Sequence, residues 1–140
     1  SATAQYNLNS LEIAQRKSLR ILFNKNWFCS RSELYSIRIL PVNTLCQISV
    51  CIQVFKIASN MLENNVNIQT AYQRHNYRTR KRENFVIPVT HTQLGSQTFF
   101  IRGLSLYNSL EQTVKNTFSL SLFKTRIKEC FYEMYCDANN

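Results

Sequence analysis

The chain has 140 residues, 44% of them hydrophobic, which is enough for one buried core and leaves two independent domains improbable on size alone. Seventeen Lys and Arg against eight acidic residues give a formal charge of +9, a field that favours polyanions or an acidic membrane surface as partners. Only two Gly and two Pro occur, too few for the turn-rich sequence of a β-sandwich or barrel, so a helix-dominated chain is expected.

Asn9 or Ser10 is placed to cap a first helix whose Leu11, Ala14, Ser18, Ile21 and Leu22 recur at steps of three and four. Arg16, Lys17 and Arg20 then fall together on the opposite side, as a solvated face or as a helix that tracks phosphates. Trp27 and Phe28 follow as packing anchors, and Ser30 to Glu33 has capping-box spacing for a short helix through Leu34, Tyr35 and Ile37. Pro41 suits the first turn of the next helix, about Val42 to Leu62, with Leu45, Ile48, Ile52, Phe55, Ile57 and Leu62 as the central core. The run Ile39 to Phe55 is uncharged but carries Asn43, Thr44, Gln47, Ser49 and Gln53, so it reads as a buried helix and no membrane span is expected.

Polar residues from Glu63 to Gln73 end that helix and open a connector. The most cationic stretch follows: Arg74, His75, Asn76, Tyr77, Arg78, Thr79, Arg80, Lys81 and Arg82, without an acid and with one aromatic ring interleaved. Such an arm can neutralise several phosphates while Tyr77 stacks on an unpaired base, or it can serve as a solvated linker. Phe85 to Val89 and Thr98 to Arg102 suggest two extended segments, joined through Gly95 as a small hairpin and broken by Gly103. Leu104, Leu106, Tyr107 and Leu110 suggest a helical turn. Ser119 or Thr117 can cap a last helix with Leu120, Phe123, Ile127, Cys130 and Met134 inside and Lys124, Arg126 and Lys128 outside. The expected fold is therefore mainly α, a small bundle of about four to five helices with a short β-hairpin or extended segment near residues 85–102. Its expected organisation is a helical region over 1–62, a polar and basic connector over 63–84, and a part over 85–140 that packs on the first.

The residue types for catalysis are sparse. Asp137 is the single Asp and the seven Glu are scattered, apart from Glu129 and Glu133 one helical turn apart beside Lys128, where a solvated face is the simpler account. Two-metal nucleotidyl transfer needs clustered carboxylates, so no catalytic residue, metal or cofactor is assigned. The five cysteines, Cys29, Cys46, Cys51, Cys130 and Cys136, form no CxxC pair and are expected as reduced, buried thiols of an intracellular protein. His75 and His91, the two histidines, sit in polar connecting sequence rather than beside a nucleophile. The chain starts without Met and shows no signal peptide, and it reads as an excised piece.

Several pieces point together to a family. His75 to Arg80, Asn84-Phe85-Val86-Ile87-Pro88, Phe99 to Gly103, Tyr107-Asn108-Ser109-Leu110 and Phe123-Lys124 resemble, in order, the C-terminal region of jockey-like non-LTR retrotransposon reverse transcriptases. Gln15 to Ile21 and Ser32 to Tyr35 through Ile39-Leu40-Pro41 fit the same region upstream. Where the family commonly has Trp-Asn-Ser-Leu-Pro, this chain has Tyr107 and Glu111: Tyr fills an aromatic pocket with a polar tip, and loss of Pro loosens the following turn. The resemblance implies thumb-like helices after the polymerase palm, whose aspartates would lie upstream, in a nuclear and cytoplasmic element protein. It implies a non-catalytic part that holds template RNA and primer DNA, with RNA, RNA–DNA hybrid and the upstream polymerase domain as partners. Arg16, Lys17, Arg20, Arg74, His75, Tyr77, Arg78, Arg80, Lys81 and Arg82 would carry the contact, to backbone phosphates rather than to base edges. The alternative is a helical module that docks on the polymerase or another protein without touching nucleic acid.

Overall fold

The structure, a computed structural model, describes residues 2–26, 38–62, 68–75, 83–92, 95 and 98–137. Among these residues six helices follow in order: α1 (Ala2–Leu22), α2 (Val42–Ala58), α3 (Ala71–Arg74), α4 (Phe99–Ser109), α5 (Gln112–Lys115) and α6 (Leu120–Asp137). The protein is mainly helical, a small bundle as the composition implies. The anchors Trp27 and Phe28 and the capping box Ser30 to Glu33 lie outside the described residues. The chain gathers into two units, Ser1–Ile48 with Ile127–Asn140, and Ser49–Arg126, the divisions falling within α2 and α6.

In the first unit, Leu19, Leu40, Ile48, Ile127 and Phe131 are buried. α1 begins earlier than its expected cap at Asn9 or Ser10, and it is turned differently about its axis. Ile21 and Leu22, expected to pack, are 81% and 75% exposed, whereas Arg16 and Arg20, expected outside, are half-buried. Gln15 explains the rotation. Its Nε2 donates to the Leu40 carbonyl (2.9 Å) and its Oε1 accepts from the Val42 N–H (3.1 Å), so one amide spans Pro41 and satisfies a donor that the first turn of α2 leaves unpaired. That polar seat and Leu19 set which side of α1 faces inward, and the apolar stripe through Leu11, Ile21 and Leu22 is left outside.

Two of the long helices, α1 and α2, end on an asparagine. Asn24 has φ 47° and Asn60 has φ 52°, left-handed positions that usually call for glycine. Around Asn24, Lys25 N–H donates to Arg20 O (2.9 Å) and Asn24 N–H to Ile21 O (3.3 Å); around Asn60, Met61 bonds Lys56 O (2.8 Å) and Asn60 bonds Ile57 O (3.1 Å). Each pair is a Schellman closure of the orphan carbonyls. A chain with two glycines thus stops these two helices with Asn, and α2 ends at Ala58 rather than near Leu62.

The second unit packs α2 against α4. Cys51, Val54 and Phe55 are the buried residues of its part of α2, with Ile52 and Ile57 half-buried; Leu62 in this unit and Leu45 in the first, both expected inside, are exposed. Residues 98–102, expected as an extended partner of 85–89, are instead the N-cap and first turn of α4. Among the described residues no strand forms, and one isolated bridge joins Thr70 to Phe85. Gly103 breaks no strand; it lets α4 approach α2 closely, since a Cβ there would stand 2.9 Å from Val54 Cγ2 and 3.0 Å from Val50 Cγ1. Close packing overrides the β-preferring Thr-Phe-Phe-Ile run because burial decides such local preferences.

A row of rings fills this core. Phe55 stacks on Phe123 at 4.2 Å, Phe123 lies 6.0 Å from Tyr107, and Tyr107 lies 5.3 Å from Phe85. On α6 the inward series is Phe123, Ile127 and Phe131; Cys130 is half-buried and Met134 exposed, while Lys124, Arg126 and Lys128 face out as expected. Of the cysteines, Cys51 is buried, Cys130 intermediate and Cys46 exposed, a correction to five buried thiols; Cys29 and the side chain of Cys136 lie outside the described residues. No described helix is long and apolar enough to cross a membrane.

Burial first, and the nearby Cys51 thiol second, push the Tyr107 phenol from 10.0 up to about 12. The unfolded chain releases this proton at the lower pH, so the stability it contributes is complete below about pH 10 and is lost as pH climbs through the folded value. Denaturant midpoints across this alkaline window are therefore expected to fall for the native chain and to fall less for Tyr107→Phe. Parallel curves would show that the phenol plays no part.

Candidate functional site

Three cations of the first unit come together at the C-terminal end of α1. Lys17, Arg20, Ile21, Asn24 and Lys25 line a shallow hollow of about 530 Å³. Lys17 and Ile21 share a side of α1 by helical spacing, and the Schellman closure at Asn24 carries Lys25 back beside the last turn. Lys17 and Lys25 are exposed, and neither pairs with a carboxylate among the described residues. Of the expected trio, Lys17 and Arg20 line the hollow; Arg16 does not, and its Nε reaches back to the Glu12 carbonyl at 3.4 Å. Lys25 was missed at the level of sequence, although Asn24 in a chain poor in glycine was a readable signal for the turn that places it.

A second hollow of the same unit, about 620 Å³, has a different character. Arg38, Lys128, Glu129 and Glu133 line it together with apolar side chains that include Leu45 and Tyr132. The Arg38 guanidinium lies 5.7 Å from the Tyr132 ring centre, a cation–π distance, and Arg38 itself has φ 61°. Charges of both signs leave it without the single-sign field of the first hollow.

In the second unit, ten Lys and Arg stand against three Glu, so seven of the nine net charges belong to residues 49–126. The basic stretch is tied down at both feet. Ala71 N–H donates to Asn84 O (2.9 Å) and Val86 N–H to Gln69 O (2.8 Å), on either side of the Thr70–Phe85 bridge. On the near side Thr70 and Gln73 form a reciprocal capping box that starts α3, with Arg74 exposed at its end and His75 exposed just beyond. On the far side the Asn108 amide holds both backbone groups of Phe85: Phe85 N–H donates to Oδ1 and Nδ2 donates to Phe85 O, each at 2.9 Å. Lys115 Nζ adds bonds to Asn84 Oδ1 (3.2 Å) and Asn108 O (2.7 Å), and Gln112 donates to Glu83. Loss of solvent lowers the Lys115 pKa, with the Glu83 carboxylate opposing. Tyr77, Arg78, Arg80, Lys81 and Arg82 lie outside the described residues.

The clamp joins two motifs that are 23 residues apart in the chain, Asn84-Phe85 and Tyr107-Asn108. Glu111, where the family pattern has Pro, has φ −62° and ψ 150° and caps α5, so the backbone there keeps an angle that proline also adopts. Among the described residues no group of three or more His, Cys, Asp or Glu stands ready for a metal ion.

Fold and site together describe a small, basic, helical protein with three cations around one hollow and a cationic run in sequence between two residues, Thr70 and Phe85, that pair with each other. No family model, no curated protein and no solved structure matches the chain.

Proposed function

We propose that this chain is a non-catalytic nucleic-acid-binding part of a retrotransposon reverse transcriptase, holding template RNA and primer DNA through their backbone phosphates. The observation that carries the reading is the concentration of seven of nine net charges in residues 49–126, with the run Arg74 to Arg82 between two pinned feet. Pinning matters because a cationic segment held at both ends loses less entropy when it meets a strand than a free tail does. Lys17, Arg20 and Lys25 supply a second grip in the first unit, again unopposed by a described carboxylate at Lys17 and Lys25. Phosphate contacts of this kind fix position and carry no base sequence, in keeping with a holder rather than a reader. The motifs that resemble the family, Asn84-Phe85 and Tyr107-Asn108, support the reading indirectly: they build the frame from which the basic run is hung.

Binding of RNA and of an RNA–DNA hybrid over a salt series tests the proposal. Each phosphate neutralised contributes roughly 0.7 to 0.9 to the slope of log affinity on log salt, so changing Arg78, Arg80, Lys81 and Arg82 to Ala is expected to flatten it by about 3. An unchanged slope removes the basic run from the mechanism. A second reading, a helical module that docks on the polymerase or another protein, is favoured by the exposed stripe of Leu11, Ile21 and Leu22 on α1. Self-association that rises with concentration, with no RNA affinity at any salt, would support that reading and displace the first.

A further inference from the structure

Phe118 is 98% exposed, although it stands in a well-anchored stretch of chain. On one side the buried Thr117 donates its hydroxyl to Val114 O at 2.9 Å; on the other the Ser119 carbonyl accepts from Phe123 N–H at 2.9 Å and starts α6. The ring is therefore presented to water by fixed backbone on both flanks. Leu122, four residues on, is exposed as well. Arg126 bends back so that its NH1 donates to Thr113 O (2.7 Å) on α5, the helix that leads into Phe118, and Lys124 is exposed on the first turns of α6. Glu111, the carboxylate nearest to Phe118 in sequence, accepts a hydrogen bond from Thr113, and Glu129 follows Arg126 by three residues on α6. The unit that contains all of these residues carries most of the net positive charge.

We propose that Phe118 is a stacking platform for an unpaired base of single-stranded nucleic acid, with the exposed Lys124 and Arg126 of the helix that follows it meeting adjoining phosphates. The inference rests on the nucleic-acid reading and narrows it to single strands, because a duplex keeps its base faces inside its own stack. An aromatic face is sequence-tolerant, since every base offers a π surface to it. A lipid surface fits less well: an interfacial helix needs a broad apolar face, and the outer side of α6 carries Ser121, Lys124, Thr125 and Lys128, all exposed.

The test uses the 140-residue chain, a short oligouridylate, and an abasic oligomer of equal length that has the phosphates without the bases. F118A is expected to weaken oligouridylate binding roughly 5- to 100-fold, while binding of the abasic oligomer and the melting temperature stay unchanged. F118W is expected to restore affinity, with indole fluorescence beyond that of the native Trp27 quenched on binding. Equal oligouridylate affinity for native chain and F118A overturns the inference. So does equal binding of both oligomers by the native chain with a steep salt slope, an outcome that leaves phosphate holding intact. Absence of binding to either oligomer overturns the inference together with the reading beneath it. Loss of binding to anionic phospholipid vesicles in F118A, with oligouridylate affinity unchanged, overturns it in favour of a membrane surface.

Discussion

Replacing Phe123 by Ala is expected to lower stability by about 3 to 5 kcal/mol, the range for removing a buried Phe side chain and leaving a cavity. The ring is fully buried and stands between Phe55 and Tyr107, so its loss opens the centre of the aromatic row at 4.2 Å on one side and 6.0 Å on the other. Aromatic pairing adds about 0.5 to 1.5 kcal/mol per pair beyond buried area, and that contribution goes too. Against a typical total of about 5 to 15 kcal/mol, the variant is expected to fold marginally or not at all at 37 °C. Urea unfolding followed by circular dichroism checks this, and Phe123→Leu, which keeps most of the apolar volume, should recover a large part of the loss. A destabilisation below about 1 kcal/mol in Phe123→Ala would mean that the row is not the core. Phe118, five residues earlier and in water, sets the contrast: its truncation should move the midpoint by less than about 0.5 kcal/mol.

The second large effect is expected at Asn108. Its amide meets a donor and an acceptor of the same residue at once, using both ends of one carboxamide. Asn108→Ala leaves the Phe85 N–H and C=O without their partner at a half-buried position, at a cost of about 1 to 3 kcal/mol. Asn108→Asp should be no better, because a carboxylate accepts from the N–H but faces the carbonyl with like charge. Hydrogen exchange at the Phe85 amide is the direct measure and should speed up in both variants, while amides in α6 away from the clamp change little. If Phe85 exchange stays slow, the bridge to Thr70 holds this segment without Asn108.

The candidate site was half legible. A run of five cations in nine residues without an acid can be read directly, because charge is a property of composition and needs no partner to be seen. Lys17 and Arg20 were legible as a pair at helical spacing, yet their companion Lys25 was not, since it reaches the hollow only through the left-handed turn at Asn24. Asn108 stood in a quoted motif without a role; its function is a pairing across 23 residues that no local pattern encodes. Phe118 left a faint sign, one ring among Asn116, Thr117 and Ser119, but an aromatic residue in a polar link reads equally well as a buried plug.

The amino-acid sequence by itself determined the helical class, the start of α2 after Pro41, the inward series Phe123 and Ile127 of α6, and the excess of positive charge. These follow from periodicity, ring-restricted backbone and composition, all local quantities. Tertiary structure alone decided the rotation of α1, where one glutamine amide and Leu19 outweigh the weak apolar stripe opposite. It also decided the helical state of residues 99–109, where a glycine allows two helices to meet too closely for any other side chain to fit unstrained. The physical reason is common to both: marginal local preferences, each well under the energy of burying a face or satisfying a helix end, are settled by whichever distant segment arrives to pack against them.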